Sequence, residues 1–359
     1  LGEGMAFLCG WSLILAYTVT ASAVAVGFSG YLSGMSASLG FVIPDYLLKT
    51  PARGGIVNLP SIIIPSFYSA SVLIRGTKQK AKLKFALILV ALAAIIAFVV
   101  TAAPHANPDN LNPFAPFGVR GIFSGASIVF FSYMASTPLH FAEECKNPSR
   151  DLPIGIISSI AICMALYIAV SLALTAAVNY TQLDTPEPVA YALRLLGWPG
   201  MANLIAIGVL AGIITTLIVY LFGQSRVFFA YPATLLADAL QDHPTFHTPY
   251  LITILGLHPH RRHFRLRPAH AHVELSNTGT LAVFLVNFIG IVVMRRKHPE
   301  IPRKFHCPLL YLIAPVGIIV CFYLIYELST LTHILFAGWI LLGSSSTTPT
   351  AVNTALVRE

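Results

Sequence analysis

The residues with the greatest capacity for chemistry lie between Phe130 and Pro153, in the run FFSYMASTPLHFAEECKNPSRDLP. An apolar stretch is interrupted there by Ser136-Thr137-Pro138 and then closes on Glu143, Glu144, Lys146 and Asn147. Lipid offers no partner to backbone groups freed by a break, so irregular backbone at membrane depth survives only against protein or a watery cavity. A broken helix of this kind points to a transport site. The same residues also fit an ordinary proline kink with a charged cytosolic end, and this stretch alone leaves both readings open.

Other chemistries find little support. No paired carboxylates and no nucleophile with an adjacent base fall on facing positions, which argues against an enzyme. Cys9, Cys145, Cys163, Cys307 and Cys321 lie mostly within or beside apolar runs, without the paired spacing of a disulfide framework or a zinc site. Five histidines cluster at His258, His260, His263, His270 and His272, but no carboxylate or cysteine accompanies them at ligand spacing. We therefore expect no metal and no cofactor.

The elements that position the stretch follow from composition. Of 359 residues, 56% are hydrophobic and 10% charged, and the mean hydropathy is +0.76. This predicts an all-α polytopic protein, integral to a membrane, whether plasma membrane or endomembrane. The net charge of +8 resides largely in short loops, where it reports orientation and requires no nucleic acid partner. Apolar runs of roughly a membrane's length fall near 5–32, 56–74, 85–103, 121–142, 153–178, 201–223, 279–294 and 308–328, with a shorter, weaker one at 331–343. Small residues crowd the end of the first run (Gly27, Ser29, Gly30, Ser33, Gly34), as expected of close helix packing in lipid. Trp11, Tyr17 and Trp339 are read as packing or interfacial aromatics.

Lysines and arginines set the orientation. Arg75, Lys78, Lys80, Lys82 and Lys84 mark one connection as cytosolic, whereas 104–118 contains neither residue type and faces outside. Lys146, Arg150 and Arg226 fall inside, 179–199 outside, and Arg295, Arg296, Lys297, Arg303 and Lys304 inside again. Two successive runs, 201–223 and 279–294, both exit to the cytosol, so an odd number of crossings must separate them. The intervening HPHRRHFRLRPAHAH carries Arg261, Arg262, Arg265 and Arg267, each costing about 2.5–3.5 kcal/mol at a helix centre. Such a segment does not span.

Long ordered stretches carry a resemblance: LPIGIISSIAICMALYIAVSLALTAAVNYTQL, GQSRVFFA, HPTFHTPY, ELSNTGTLAVF and RRKHPEIPRKFHCPLLYLIAPVG. Together they resemble the cationic amino acid transporter branch of the amino acid, polyamine and organocation permeases. The resemblance implies a five-plus-five inverted repeat whose first and sixth helices unwind at mid-membrane. It aligns GMAFLCGWSLILAYTVTASAVAVGFSGYL with the third helix, so the first two are expected to be missing and the ninth disrupted. Residues 1–343 would then be a truncated transporter membrane domain and 344–359 a polar tail.

By the same resemblance the sixth helix starts near Gly121 and its break falls on Met134, Ala135, Ser136 and Thr137. Exposed amides and carbonyls there would hold an amino acid's two charged ends, with Phe131 and Tyr133 packed beside it. Glu143, Glu144, Lys146, Gln224 and Arg226 resemble an inner gate, the last two from a cytosolic loop. A solvated helix end is the plainer reading of the same charges.

Departures from the family also carry expectations. A glutamate and a lysine that pair in some relatives are matched by Ala16 and Ala91, so a lysine-linked proton step is not expected, and the coupling ion is left open. Ser136-Thr137-Pro138 stands where the family reads Gly-Phe-Asp-Ala, as a one-base frame shift would produce. Similar slips fit 231–237 and 258–272. The resulting expectation is an amino acid permease fragment in a lipid bilayer, inactive by itself for want of half its substrate contacts. The alternative is a non-transporting membrane protein, or a degraded gene product, that pairs with a complete permease.

Overall fold

The computed structural model describes residues 2–48, 55–56, 58–63, 81–136, 147–230, 269–300 and 307–346. All regular structure among them is helical: α1 (Glu3–Ser38), α2 (Asp45–Leu48), α3 (Ala81–Ala102), α4 (Gly118–Val129), α5 (Pro148–Ala177), α6 (Pro188–Leu195), α7 (Pro199–Ala230), α8 (Ala269–Lys297), α9 (Leu310–Tyr326) and α10 (Thr330–Ser346). Among the described residues, five helices (α1, α3, α5, α7 and α8) are long and apolar enough to cross a membrane. The α9 and α10 helices satisfy the same test only as a pair, bent by 111° at their junction.

The first helix organises the bundle. Its 36 residues extend about 54 Å at 1.5 Å per residue, more than a bilayer core of about 30 Å. It ends where Gly40 adopts a φ of +85°. Glycine enters this left-handed region without a Cβ penalty, and the turn lets the Phe41 N–H reach back to the Ser36 carbonyl at 2.9 Å.

Along its length α1 is flanked by α7 and α8, its two most extensive neighbours, while α3 packs on α7, and α9 and α10 pack on α8. Ile14, Tyr17 and Ala21 form one core with Leu217, Tyr220 and Leu221 of α7. Further along, Phe28 and Tyr31 join Phe98, Ala173, Leu193 and Ile205 in a second core that gathers α3, α5, α6 and α7. Against α8 the contact is closer still. A methyl group added at Gly279 would stand 3.0 Å from the Ser12 carbonyl oxygen and 3.3 Å from the Ala16 Cβ. Small residues allow such approach where helices cannot rely on hydrophobic exclusion from water.

Several hydroxyl groups inside these helices are satisfied locally. Ser12, Thr18 and Ser22 donate to the carbonyls of Leu8, Ile14 and Thr18 at 2.7–2.8 Å, the back-bonding that makes serine and threonine tolerable in a spanning helix. The two connections expected outside meet at one end of the bundle. Asn107 N and Asn110 Nδ2 both donate to the Ala176 carbonyl at 2.9 Å, and His105 meets Trp198 edge to face at 6.3 Å. The basic Arg295, Arg296 and Lys297 lie in the last turn of α8.

Three sequence boundaries move. The described part of the run at 121–142 belongs to a 12-residue α-helix that begins at Gly118 and is followed by 3-10 backbone over Phe130–Ser136. The final run is a 17-residue helix, longer than its weak hydropathy suggests because Ser344 and its neighbours continue it. Gln224 and Arg226 lie on α7, which runs on to Ala230, and so belong to a helix and not to a loop. Most of 56–74 and all of 231–268 lie outside the described residues.

Candidate functional site

The α4 helix loses its α-helical hydrogen bonding after Val129, and Phe130–Ser136 continues as a 3-10 segment. A change from i→i−4 to i→i−3 bonding leaves carbonyls at the junction in need of other donors. Two side chains from neighbouring helices supply them. Asn277 of α8 donates from Nδ2 to the Ser127 carbonyl at 2.7 Å and to that of Ile128 at 3.3 Å. Tyr167 of α5 donates its hydroxyl to the Ser132 carbonyl at 3.2 Å.

Aromatic rings complete the surroundings. Phe130 meets Phe284 edge to face at 5.9 Å. Since Asn277 and Phe284 are seven residues apart, they share one face of α8, which is turned to the broken helix. Tyr133 meets Tyr167 at 5.4 Å, and Tyr17 meets Tyr220 at 6.0 Å. The tyrosines thus fall into two pairs, one joining α1 to α7 and the other joining the 3-10 segment to α5.

A polar seam runs between α1 and α8. Ser276, Asn277, Thr278 and Thr280 are all buried. Ser276 Oγ donates to the Ala16 carbonyl at 3.0 Å, so in its short contact with Thr20 Oγ1 the threonine is the donor. About one turn beyond Tyr220 on α7, buried Gln224 donates from Nε2 to Thr18 Oγ1 at 2.7 Å.

Of the residues singled out by sequence, Phe131 and Tyr133 are half-buried at the broken segment. Met134, Ala135 and Ser136 continue its 3-10 backbone. Thr137, Glu143, Glu144 and Lys146 lie outside the described residues. Gln224 stands beside α1, and Arg226 follows half a turn later on α7. Ala16 is fully buried beneath α8, whereas Ala91 faces α7, where a methyl group at Gly212 would stand 3.2 Å from its Cβ. The two alanines therefore serve different interfaces.

Sequence reasoning missed Asn277, Tyr167, Tyr220 and the part played by Tyr17. A signal existed for the first: Ser276-Asn277-Thr278-Gly279-Thr280 is an uninterrupted polar run inside a spanning helix, and polar groups at that depth are costly without partners.

A family model described as "Amino acid permease" matches residues 1–357. The chain belongs to the amino acid permease family. Its relatives are transporters. It is 36% identical over 355 residues to the methylthioribose transporter of Bacillus subtilis (strain 168), covering 96% of this chain and 76% of that protein. It is 35% identical over 359 residues to the branched-chain amino acid permease BcaP of the same organism, covering 96% and 75%. The vacuolar cationic amino acid transporter 4 of Arabidopsis thaliana is 30% identical over 311 residues, covering 84% of this chain and 52% of that protein. With its apolar helices, the permease is an integral membrane protein and not an enzyme.

Proposed function

We propose that this permease moves a neutral amino acid with an apolar side chain across the membrane by alternating access. The substrate would lie at the 3-10 segment with Phe131, Tyr133, Met134, Ala135, Ser136 and Thr137, and Glu143, Glu144, Lys146, Gln224 and Arg226 would close the cytosolic side. The observation that carries this reading is the junction at Val129–Phe130, where the α-helix gives way to 3-10 backbone and side chains of two other helices, Asn277 of α8 and Tyr167 of α5, donate to its carbonyls. The carboxyl end of α4 carries a partial negative charge of about half a unit, which favours a substrate ammonium; an amide-rich break offers the opposite end to a carboxylate.

The neutral side chain is inferred from the wall. Among the described residues named there, Tyr17, Phe130, Phe131, Tyr133, Tyr167, Tyr220, Asn277 and Phe284 carry no charge at neutral pH. A cationic side chain would need a carboxylate to offset its desolvation. The name of the branched-chain relative agrees with this assignment, and that of the methylthioribose transporter supplies the competing substrate. Counter-flow uptake into proteoliposomes made with the full gene product tests the choice. Saturable uptake of leucine, unaffected by excess arginine or methylthioribose, is expected; saturable uptake of methylthioribose without leucine uptake would overturn it.

A further inference from the structure

Asn277 is fully buried, and its two amide atoms differ sharply in how they are used. Nδ2 is committed to the Ser127 and Ile128 carbonyls. Oδ1 is buried and has no hydrogen-bond partner among the described residues. The orientation is fixed by chemistry, because a carbonyl oxygen can only accept and so requires the NH2 side of the amide to face α4. An acceptor left unmatched inside a protein carries a full desolvation penalty. Buried polar groups are almost always paired, and each exception calls for a ligand, a water or a function.

Three features of the surroundings restrict what the partner can be. Oδ1 can only accept, so the partner must donate a hydrogen bond or be a cation. The amide stands at the carboxyl end of α4, where the helix dipole favours positive charge. Its neighbours on α8, Ser276 and Thr278, spend their hydroxyl protons on the carbonyls of Ala16 and Glu274 at 3.0 Å each, so neither proton is available to it.

We propose that Asn277 is a substrate-binding residue of the permease, its Oδ1 accepting a hydrogen bond from the ammonium group of the transported amino acid. This rests on the reading of the 3-10 segment as the substrate site. One side chain would then perform two tasks. Its NH2 ties off carbonyls at the break, and its oxygen presents a fixed acceptor beside them. Discrimination would fall on the ammonium group and not on the side chain, so Asn277 sets selectivity for amino acids over substrates that lack an amine.

The test compares leucine with 4-methylpentanoate, the same carbon skeleton without the amino group, as competitors for labelled leucine in proteoliposomes of the full gene product. The variants are Asn277→Leu, which keeps the volume and removes both polar groups, and Asn277→Gln, which keeps the amide. Where the leucine variant fails to reach the membrane, Asn277→Ala serves instead, since its small side chain removes the acceptor without adding bulk. Losing a hydrogen bond to a charged group predicts leucine affinity about 10- to 100-fold weaker. Competition by 4-methylpentanoate should change less than threefold, and Asn277→Gln should restore part of the difference.

Equal losses for both compounds would show that Asn277 only braces the helix and would overturn the proposal. No loss for either would mean that Oδ1 faces a buried water and would also overturn it. A wild-type leucine affinity that collapses when sodium is replaced by choline, with the variant insensitive, would assign the oxygen to a metal cation instead. Wild-type protein with no amino acid uptake would refute the functional reading before any variant is examined, and the proposal with it.

Discussion

The indole N–H of Trp11 donates to the carbonyl of Trp339 at 2.8 Å, and the indole of Trp339 donates back to the carbonyl of Trp11 at 2.9 Å. The rings stack with centroids 4.6 Å apart and planes inclined by 13°. Two residues 328 positions apart in the chain thereby join α1 to α10. A lipid-facing indole N–H finds no acceptor in hydrocarbon, so the reciprocal pairing satisfies both donors at once. It depends on Gly343, where an added methyl group would stand 2.5 Å from the Trp11 ring.

Trp11→Phe retains an aromatic ring and removes one donor. We expect a loss of about 1 kcal/mol, typical of a neutral hydrogen bond, read as a lower unfolding midpoint in detergent. Gly343→Leu should separate the rings and cost more. Because the chain has three tryptophans, a change in emission should accompany that substitution, and unchanged emission would argue against the stacked pair.

Much of the fold was legible in the sequence because hydropathy in a bilayer is a one-dimensional signal. The cores of α3, α5, α7 and α8 fall where the apolar runs place them. The expected break falls on Ser136-Thr137-Pro138, of which Thr137 and Pro138 lie outside the described residues; what the sequence did not signal is that the α-helix gives way to 3-10 backbone already after Val129, where Asn277 and Tyr167 offer side-chain donors to the backbone. Those donors lie about 35 to 150 residues away in sequence, and periodicity carries no information across such distances. The tyrosine pairs were hidden for the same reason. Singly, Tyr17, Tyr133, Tyr167 and Tyr220 look like ordinary core aromatics, and only the packing of α1 on α7, and of α5 on the 3-10 segment, makes each pair neighbours.

Orientation yields a second prediction. The basic last turn of α8 should face the cytosol, and the connection holding Asn110 should face outside. In a background without other cysteines, an impermeant maleimide applied to intact cells should label Asn110→Cys and spare Lys297→Cys. The reverse pattern would invert the protein. The sequon at Asn179 should be used poorly even on the outer side, since its Oδ1 already accepts from Thr181 N at 3.1 Å and Thr181 Oγ1 at 2.8 Å.

A third prediction concerns the seam between α1 and α8. Thr20 and Ser276 are both fully buried, and Thr20 passes its proton to Ser276, which passes its own to Ala16. Thr20→Val removes one donor; Ser276→Ala removes the receiving oxygen and the second donor. In lipid, interhelical hydrogen bonds average about 0.6 kcal/mol, so each change should be modest. The double variant should lose less than the two single losses added together, because each single change already breaks the shared bond. Strict additivity in thermal unfolding would show that the two hydroxyls act independently.

The last prediction separates divergence from accident at Ala16 and Ala91. If the glutamate and lysine of some relatives had been lost with the rest of their site intact, restoring both at once would reinstate an ion pair. The packing argues otherwise. Ala16 has no exposed surface and lies under Gly279 at a separation that leaves no room for a longer side chain, while its carbonyl holds Ser276. Ala91 faces Gly212 on α7, across a different interface. A carboxylate at position 16 would be buried against α8 without a partner, and an uncompensated buried charge costs about 3–5 kcal/mol. We expect Ala16→Glu to reduce the folded yield sharply and Ala91→Lys to do so less, because its longer stem can snorkel toward the membrane surface. The double variant should be no better than Ala16→Glu alone. Recovery of folded protein by the pair, measured as monodisperse material after detergent extraction, would show that the two positions still meet and that the close α1–α8 contact yields to charge.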